Sequence, residues 1–393
     1  MNSRRLVTGL ALGLVLVLLA IQVRQLLRNP AVWPPDDFIE YWAAARLTLD
    51  GQNAYDPSLL FPLQVAAGRD TSEAVMMWNP PWSLTAVLPL GLLPAREAQL
   101  LWLLVNLAAV GFAGDRLWQL YGGRRDRRWL GWLIAGAFVP TLFALHAGQI
   151  GPLLLLGAVL FLIALKHDRP FLAGAATVLL AIKPHLAYLL WLAILCDAIV
   201  RRRASLLAGG AIAGIVCTLL PLTFNPQVIQ QYADAMANRP PDQWVSPTLG
   251  TLLRLAFGEE RFALQFVPMA LGLAWFAWHW HRERHSWNWQ EQTPRLLLVS
   301  FATAPYGAWP FDLVLLLPAI VEMIRKPRSL PRPVVVAALL AINFGCLAMN
   351  LLRTGSFWFL WVAPAILLLH TLAFRPCCPA KRLGPPVLET AAS

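Results

Sequence analysis

Stretches without a single formal charge recur along this chain, and they restrict its possible folds more than any other feature. Leu6 to Val23, Trp129 to Leu165, Ala204 to Pro221 and Phe262 to Trp280 are such stretches. Each is long enough for a helix to cross a hydrocarbon layer of ~30 Å, which takes roughly 20 residues. Within that layer the backbone must satisfy its own hydrogen bonds, so spans of this composition are helical. With 58% hydrophobic and 13% charged residues over 393 positions, the chain lacks the polar surface that a water-soluble protein of its size needs. The expected architecture is an all-α, polytopic integral membrane protein with roughly 11–13 membrane helices, half-spans included.

Charge then sets the expected topology. The first apolar stretch follows Arg4 and Arg5, has no small-residue cleavage site and runs into Arg24, so residues 1–28 read as an uncleaved first span. The net charge of +11 gathers in clusters between the apolar stretches, which on a polytopic chain reports orientation rather than affinity for nucleic acid. Placing Arg124 to Arg128, Lys166 to Arg169, Arg201 to Arg203, His281 to Arg284 and Arg325 to Arg332 in the cytoplasm puts both termini there too. Residues 29–81 become an extracytoplasmic loop, 82–374 the multi-span core and 375–393 a cytoplasmic, disordered tail. The turn from His146 to Gln149, the loop from Thr223 to Ser246 and the turn from Arg353 to Ser356 also fall outside. Parity makes Gln99 to Leu120 a full crossing and Trp82 to Pro94 a half-depth or interfacial helix. The five cysteines are Cys196, Cys217, Cys346, Cys377 and Cys378, too scattered for a disulfide framework or metal cluster. The tail pair is either a lipidation or redox site, or idle.

The loop near the start of the chain carries the first candidate chemistry. In Pro35 to Pro57, Asp36 or Asp37 is placed to cap a helix running from Phe38 to about Leu49, with Gly51 as its stop and Tyr55-Asp56-Pro57 as a following turn. Asp37 and Tyr41 then share one face at i, i+4, with Glu40 beside them. Two carboxylates and a phenol in one cleft suit proton transfer; the alternative is a plain cap on an interfacial helix.

Two apolar stretches are interrupted, and the depth of the breaks is informative. From Pro170 to Lys183 a helix rises roughly 20 Å, after which Pro184 forces a break; Asp312 stands a similar ~20 Å from Lys326, just after Pro305 and Pro310. An unpaired charge within the layer costs about 2.5–3.5 kcal/mol, so Lys183 and Asp312 each need water, a partner or a ligand. Snorkelling toward the interface is the competing explanation for either alone.

Several ordered patterns resemble those of glycosyltransferase family 87, polytopic enzymes of the GT-C class. They are Asp37-Phe-Ile-Glu-Tyr41-Trp running on to Arg46-Leu, then Gly51-Gln-Asn-Ala-Tyr55-Asp-Pro57, Trp78-Asn-Pro80-Pro81-Trp and Leu88-Pro89-Leu-Gly-Leu-Leu-Pro94. Gly148-Gln149, Ala173-Gly174 through Ile182-Lys183-Pro184, and Pro305-Tyr306 through Asp312-Leu-Val complete the series. The chain is similar to the α-mannosyltransferases of phosphatidylinositol mannoside assembly. The resemblance implies transfer of a hexose, mannose as first choice, from a polyprenyl-phosphate carrier to a lipid or glycan acceptor, with inversion, on the extracytoplasmic face of the cell membrane.

In that frame the resemblance makes Asp37 the base, and a cation at carrier-headgroup height is needed for the phosphate. Lys183 fits best, with His185 and Arg254 as further candidates. Asp36, Tyr41, Asn79, Gln149 and Asp312 are assigned to substrate binding or to orienting Lys183. Trp42, Trp78, Trp82 and Trp244 are the indoles placed to stack on a sugar. No cofactor is expected; a divalent metal on Asp36 and Asp37 is the alternative. A transporter or flippase of a lipid-linked or small solute, and a non-catalytic envelope scaffold, are the competing functions.

Overall fold

A computed structural model describes residues 33–239 and 244–375, with scattered positions between 13 and 29. The expected first span falls largely outside those residues, and the tail with Cys377 and Cys378 wholly outside them. Among the described residues every regular element is a helix. Five helices are long and apolar enough to cross a membrane: Ala95–Leu120, Ala204–Phe224, Phe262–Glu283, Arg332–Leu351 and Ser356–Ala373. A sixth candidate is broken, Arg125–Ala137 and Val139–Ala147 meeting at 65°. Five shorter apolar helices accompany them: Pro57–Ala66, Pro81–Leu92, Gly151–Lys166, Pro170–Leu180 and Pro184–Val200. The chain is thus an all-α, multi-pass membrane protein.

Local signals explain most boundaries. Pro81–Leu92 rises only about 18 Å, too little to cross a ~30 Å layer, whereas Ala95–Leu120 is long enough to do so. Lys183 leaves helical geometry at φ −129°, ψ 74°, and Pro184 opens a short 3-10 turn before the Tyr188–Val200 helix. The second break has the same form: Trp289–Ala302 ends, and Pro310–Leu316 is a 3-10 segment leading into Leu317–Arg325. The Pro170–Leu180 and Ala204–Phe224 helices cross backbone to backbone at Gly174 and Gly209. A Cβ on Gly174 would lie 1.9 Å from the Leu206 carbonyl oxygen, so only glycine permits this approach.

The basic loops are stitched together at one end of the bundle. The Arg325 guanidinium donates to the Gly122 carbonyl at 2.6 Å and lies over the Trp118 ring, whose indole N–H donates to the Arg124 carbonyl. Tyr121 donates to the Gln290 carbonyl, Arg328 pairs with Glu291 at 2.8 Å, and Arg201 reaches the Trp287 carbonyl. Arg201 also pairs at 2.8 Å with Asp197, whose side chain is fully buried. The two broken helices carry Lys183 and Asp312 to the opposite end.

The loop near the start differs from expectation in three respects. Phe38–Leu49 is helical over the expected residues and ends at Gly51, the Gln52 N–H closing onto the Leu47 carbonyl at 2.7 Å. It is no interfacial helix, however, because nine of its twelve residues are buried. A helix enclosed nearly all round is core, and this one packs against Leu88–Leu92 and Pro57–Ala66. Asp37 occupies the N-cap position, but its side chain makes no capping hydrogen bond. Asp56, expected in a turn, instead caps the Pro57–Ala66 helix through the Ser58 N–H at 2.8 Å. The loop from Thr223 to Ser246 also holds a helix of its own, Val228–Asn238.

Candidate active site

The carboxylate freed from capping has another partner. Asp37 Oδ2 accepts a hydrogen bond from Gln149 Nε2 at 2.9 Å, and Gln149 Oε1 accepts from the Tyr41 hydroxyl at 2.9 Å. The same Oε1 receives Lys183 Nζ at 3.5 Å. Lys183 Nζ also pairs at 2.7 Å with Asp312 Oδ1, while Asp312 Oδ2 accepts the Trp309 N–H at 3.2 Å. One carboxamide therefore joins the start of the Phe38–Leu49 helix to Lys183 at the first break, and Lys183 carries the link on to Asp312 at the second. Gln149 reaches this place because Gly148 turns the chain at φ +67°, with a Cβ there only 2.6 Å from Phe38 Cβ. The Trp102 indole N–H fixes that turn by donating to the Gly148 carbonyl at 2.6 Å.

Beside this network lies a cavity of about 390 Å³, within the range of roughly 300–1,000 Å³ usual for small-molecule sites. Asp37, Glu40, Asn79, Gln149, Lys183, His185 and Asp312 all line it. Facing this polar wall is an aromatic one. Trp78 meets Trp244 edge-on at 5.2 Å, Trp244 meets Tyr306 at 6.2 Å, and Tyr306 lies 4.8 Å from the His185 ring. Lys183 Nζ stands 5.0 Å from the centre of the Phe311 ring. His185 lines the cavity with its ring, while its Nε2 is buried against Gly307 and has no hydrogen-bond partner among the described residues.

Not every expected residue is here. Tyr41 is fully buried behind Gln149 and does not line the cavity. Asp36 stands outside it, at φ +44°, its carbonyl held by Arg69 at 2.7 Å. Arg254 belongs to a separate corner, bonded to Gln265 and the Glu259 carbonyl and lying over Phe262. Trp42 and Trp82 spend their indole N–H groups on the Leu93 and Ala181 carbonyls, so they serve packing, whereas Trp78 and Trp244 face the cavity. Tyr232, Met236, Tyr306, Trp309, Phe311 and Ser356 also reach it, unanticipated. The i, i+4 spacing of Tyr232 and Met236 on an unrecognised helix was the available signal for the first two. Among the described residues no three His, Cys, Asp or Glu side chains gather as a cation's ligand set. Asp37 is tied to Gln149, and Asp36 stands outside the cavity.

Glu40 is the second acid in the cavity wall and only 7% exposed. Burial first, then the neighbouring Asp37, push its carboxyl from the ordinary 4.5 up to about 8. Burial, followed by the same Asp37, also raises Asp36. Folded Glu40 thus holds a proton that the unfolded chain has already lost above about pH 4.5, and the stability this provides fades as pH rises to about 8. Glu40→Gln is expected to match the wild-type thermal midpoint at pH 5 and to exceed it at pH 9, measured in one detergent. An equal difference at both pH values would remove Glu40 as the source.

Comparison with known proteins bears on what this cavity does. No curated protein and no solved structure matches the chain. The model of glycosyltransferase family 87 matches residues 78–305, more than half of its length. The match takes in the cavity wall from Trp78 through Gln149, Lys183 and His185, and stops short of Asp312; Asp37 precedes it. An enzyme of this family takes a donor and an acceptor substrate. By this match the chain belongs to glycosyltransferase family 87, and it is a membrane glycosyltransferase.

Proposed function

We propose that the cavity moves a hexose, with mannose the first to test, from a polyprenyl-phosphate carrier to a lipid or glycan acceptor, inverting the anomeric centre. The observation that carries this reading is that Asp37 and Lys183, from distant parts of the sequence, sit at the two ends of the Gln149 carboxamide. The acceptor oxygen attacks the anomeric carbon and forms the new C–O bond. The bond to the carrier phosphate breaks, its electron pair staying on the phosphate oxygen. The acceptor proton passes to the Asp37 carboxylate. Lys183 steadies the developing phosphate charge, and the buried Asp312 orients Lys183. Asn79 and the Trp78–Trp244 wall hold the sugar.

The cell membrane is the proposed location, with the cavity on its outer face. Support for this sidedness comes from the basic loops tied together at the end of the bundle away from Lys183, since such loops favour the cytoplasm. The test is incubation of purified protein with a radiolabelled polyprenyl-phosphate mannose and a total lipid extract of the source cells. Label is expected in a new lipid product, whose formation survives a chelator. Failure to form any labelled product would overturn the reading.

A further inference from the structure

We infer that the chain carries a second ligand site beside the catalytic cavity, a vestibule that binds the saccharide portion of the acceptor. The inference rests on the glycosyl-transfer reading above and names the part of the acceptor that is recognised. A separate cavity of about 620 Å³ lies across the Trp78–Trp244 pair, and both indoles line the two spaces. The rest of its wall mixes polar side chains, Ser58, Ser72, Glu73 and Arg239, with Pro57, Phe61 and Ala74. This mixture is what a sugar needs. Indole surfaces take its C–H face, while a carboxylate, a guanidinium and hydroxyls take its ring of hydroxyl groups. An isoprenoid or acyl chain would gain nothing from those charges, and the apolar groove between Trp82, Trp191 and Ile215 has none of them.

The wall is also built rather than incidental. Gln64, fully buried, holds both backbone groups of Val75, donating to its carbonyl at 2.7 Å and accepting its N–H at 2.8 Å. That clamp fixes the strip running from Ser72 to Trp78 against the Pro57–Ala66 helix. Ser58 is oriented in turn by its hydroxyl bond to Asp56 at 2.7 Å. Across the shared indoles, Trp244 contacts Tyr306, which packs on His185. A glycan seated in the vestibule therefore meets the catalytic cavity at Trp78 and Trp244, where its terminal sugar can present a hydroxyl to the donor.

Glu73 and Arg239 are exposed, so replacing them leaves the bundle intact. In the transfer assay with labelled polyprenyl-phosphate mannose, the lipid extract serves as the acceptor probe. For Glu73→Gln combined with Arg239→Gln, the half-saturating concentration of extract is expected to rise at least about tenfold, since each substitution removes a charge-assisted hydrogen bond. Half-saturation by donor stays at the wild-type value. An unchanged response to extract, in a preparation whose wild type transfers label, would overturn the vestibule alone. So would a shift confined to the donor. If the wild type transfers no label, the glycosyl-transfer reading falls and the vestibule falls with it.

Discussion

Asp37→Asn is expected to lower transfer by about 10²- to 10⁴-fold, the usual contribution of a general base, with the protein inserting and folding as before. The substitution is close to isosteric, and an asparagine can turn its carbonyl oxygen toward Gln149 Nε2 and keep the 2.9 Å hydrogen bond. What it loses is the capacity to take a proton. The Asp37 side chain makes no capping hydrogen bond to the Phe38–Leu49 helix, so the helix start is not at stake. The fall should therefore lie in kcat, with donor KM little moved, and with the thermal midpoint in detergent near that of the wild type. Near-normal turnover from a well-expressed variant would remove Asp37 from the role. Loss of folding would instead identify it as a structural acid.

Lys183→Met should have two separable consequences. Lys183 and Asp312 are 11% and 1% exposed, and removing one partner of a buried ion pair strands the other at a cost of about 3–5 kcal/mol. The single variant is thus expected to be both unstable and poor with donor. Adding Asp312→Asn removes the stranded charge, and the thermal midpoint should recover. Donor KM should not recover, because the cation for the phosphate is still missing; a charge-assisted hydrogen bond of about 1.5–3 kcal/mol corresponds to roughly 10- to 100-fold. A double variant that binds donor as the wild type does would show that Lys183 is there only to neutralise Asp312.

Much of this site was legible along the chain, for identifiable reasons. The Phe38–Leu49 helix could be bounded because its start and its glycine stop are local features. The similar depths of Lys183 and Asp312 followed from the fixed rise of a helix and the prolines that end it. That a lone charge at such depth needs a partner also followed, although the sequence left snorkelling open for each. Asp36 and Asp37 shows the limit: the two are equivalent as sequence, yet one lines the cavity and its neighbour does not. Tyr41 likewise has the correct spacing from Asp37, yet its hydroxyl bonds to Gln149 and it does not line the cavity.

The sequence alone determined that this chain is a helical membrane protein, where two of its helices break, and which charges had to be satisfied at depth; the 65° bend before Val139 was not read from it. Those properties depend on composition and on distances measured along one helix. Only the tertiary structure decided that Lys183 pairs with Asp312, that Gln149 bridges to Asp37, that Arg254 lies elsewhere, and that Trp78 and Trp244 face the cavity while Trp42 and Trp82 pack. Each of these depends on how helices remote in sequence dock against one another. That docking is set by close contacts such as Gly148 on Phe38 and Gly174 on Leu206, which no local spacing encodes.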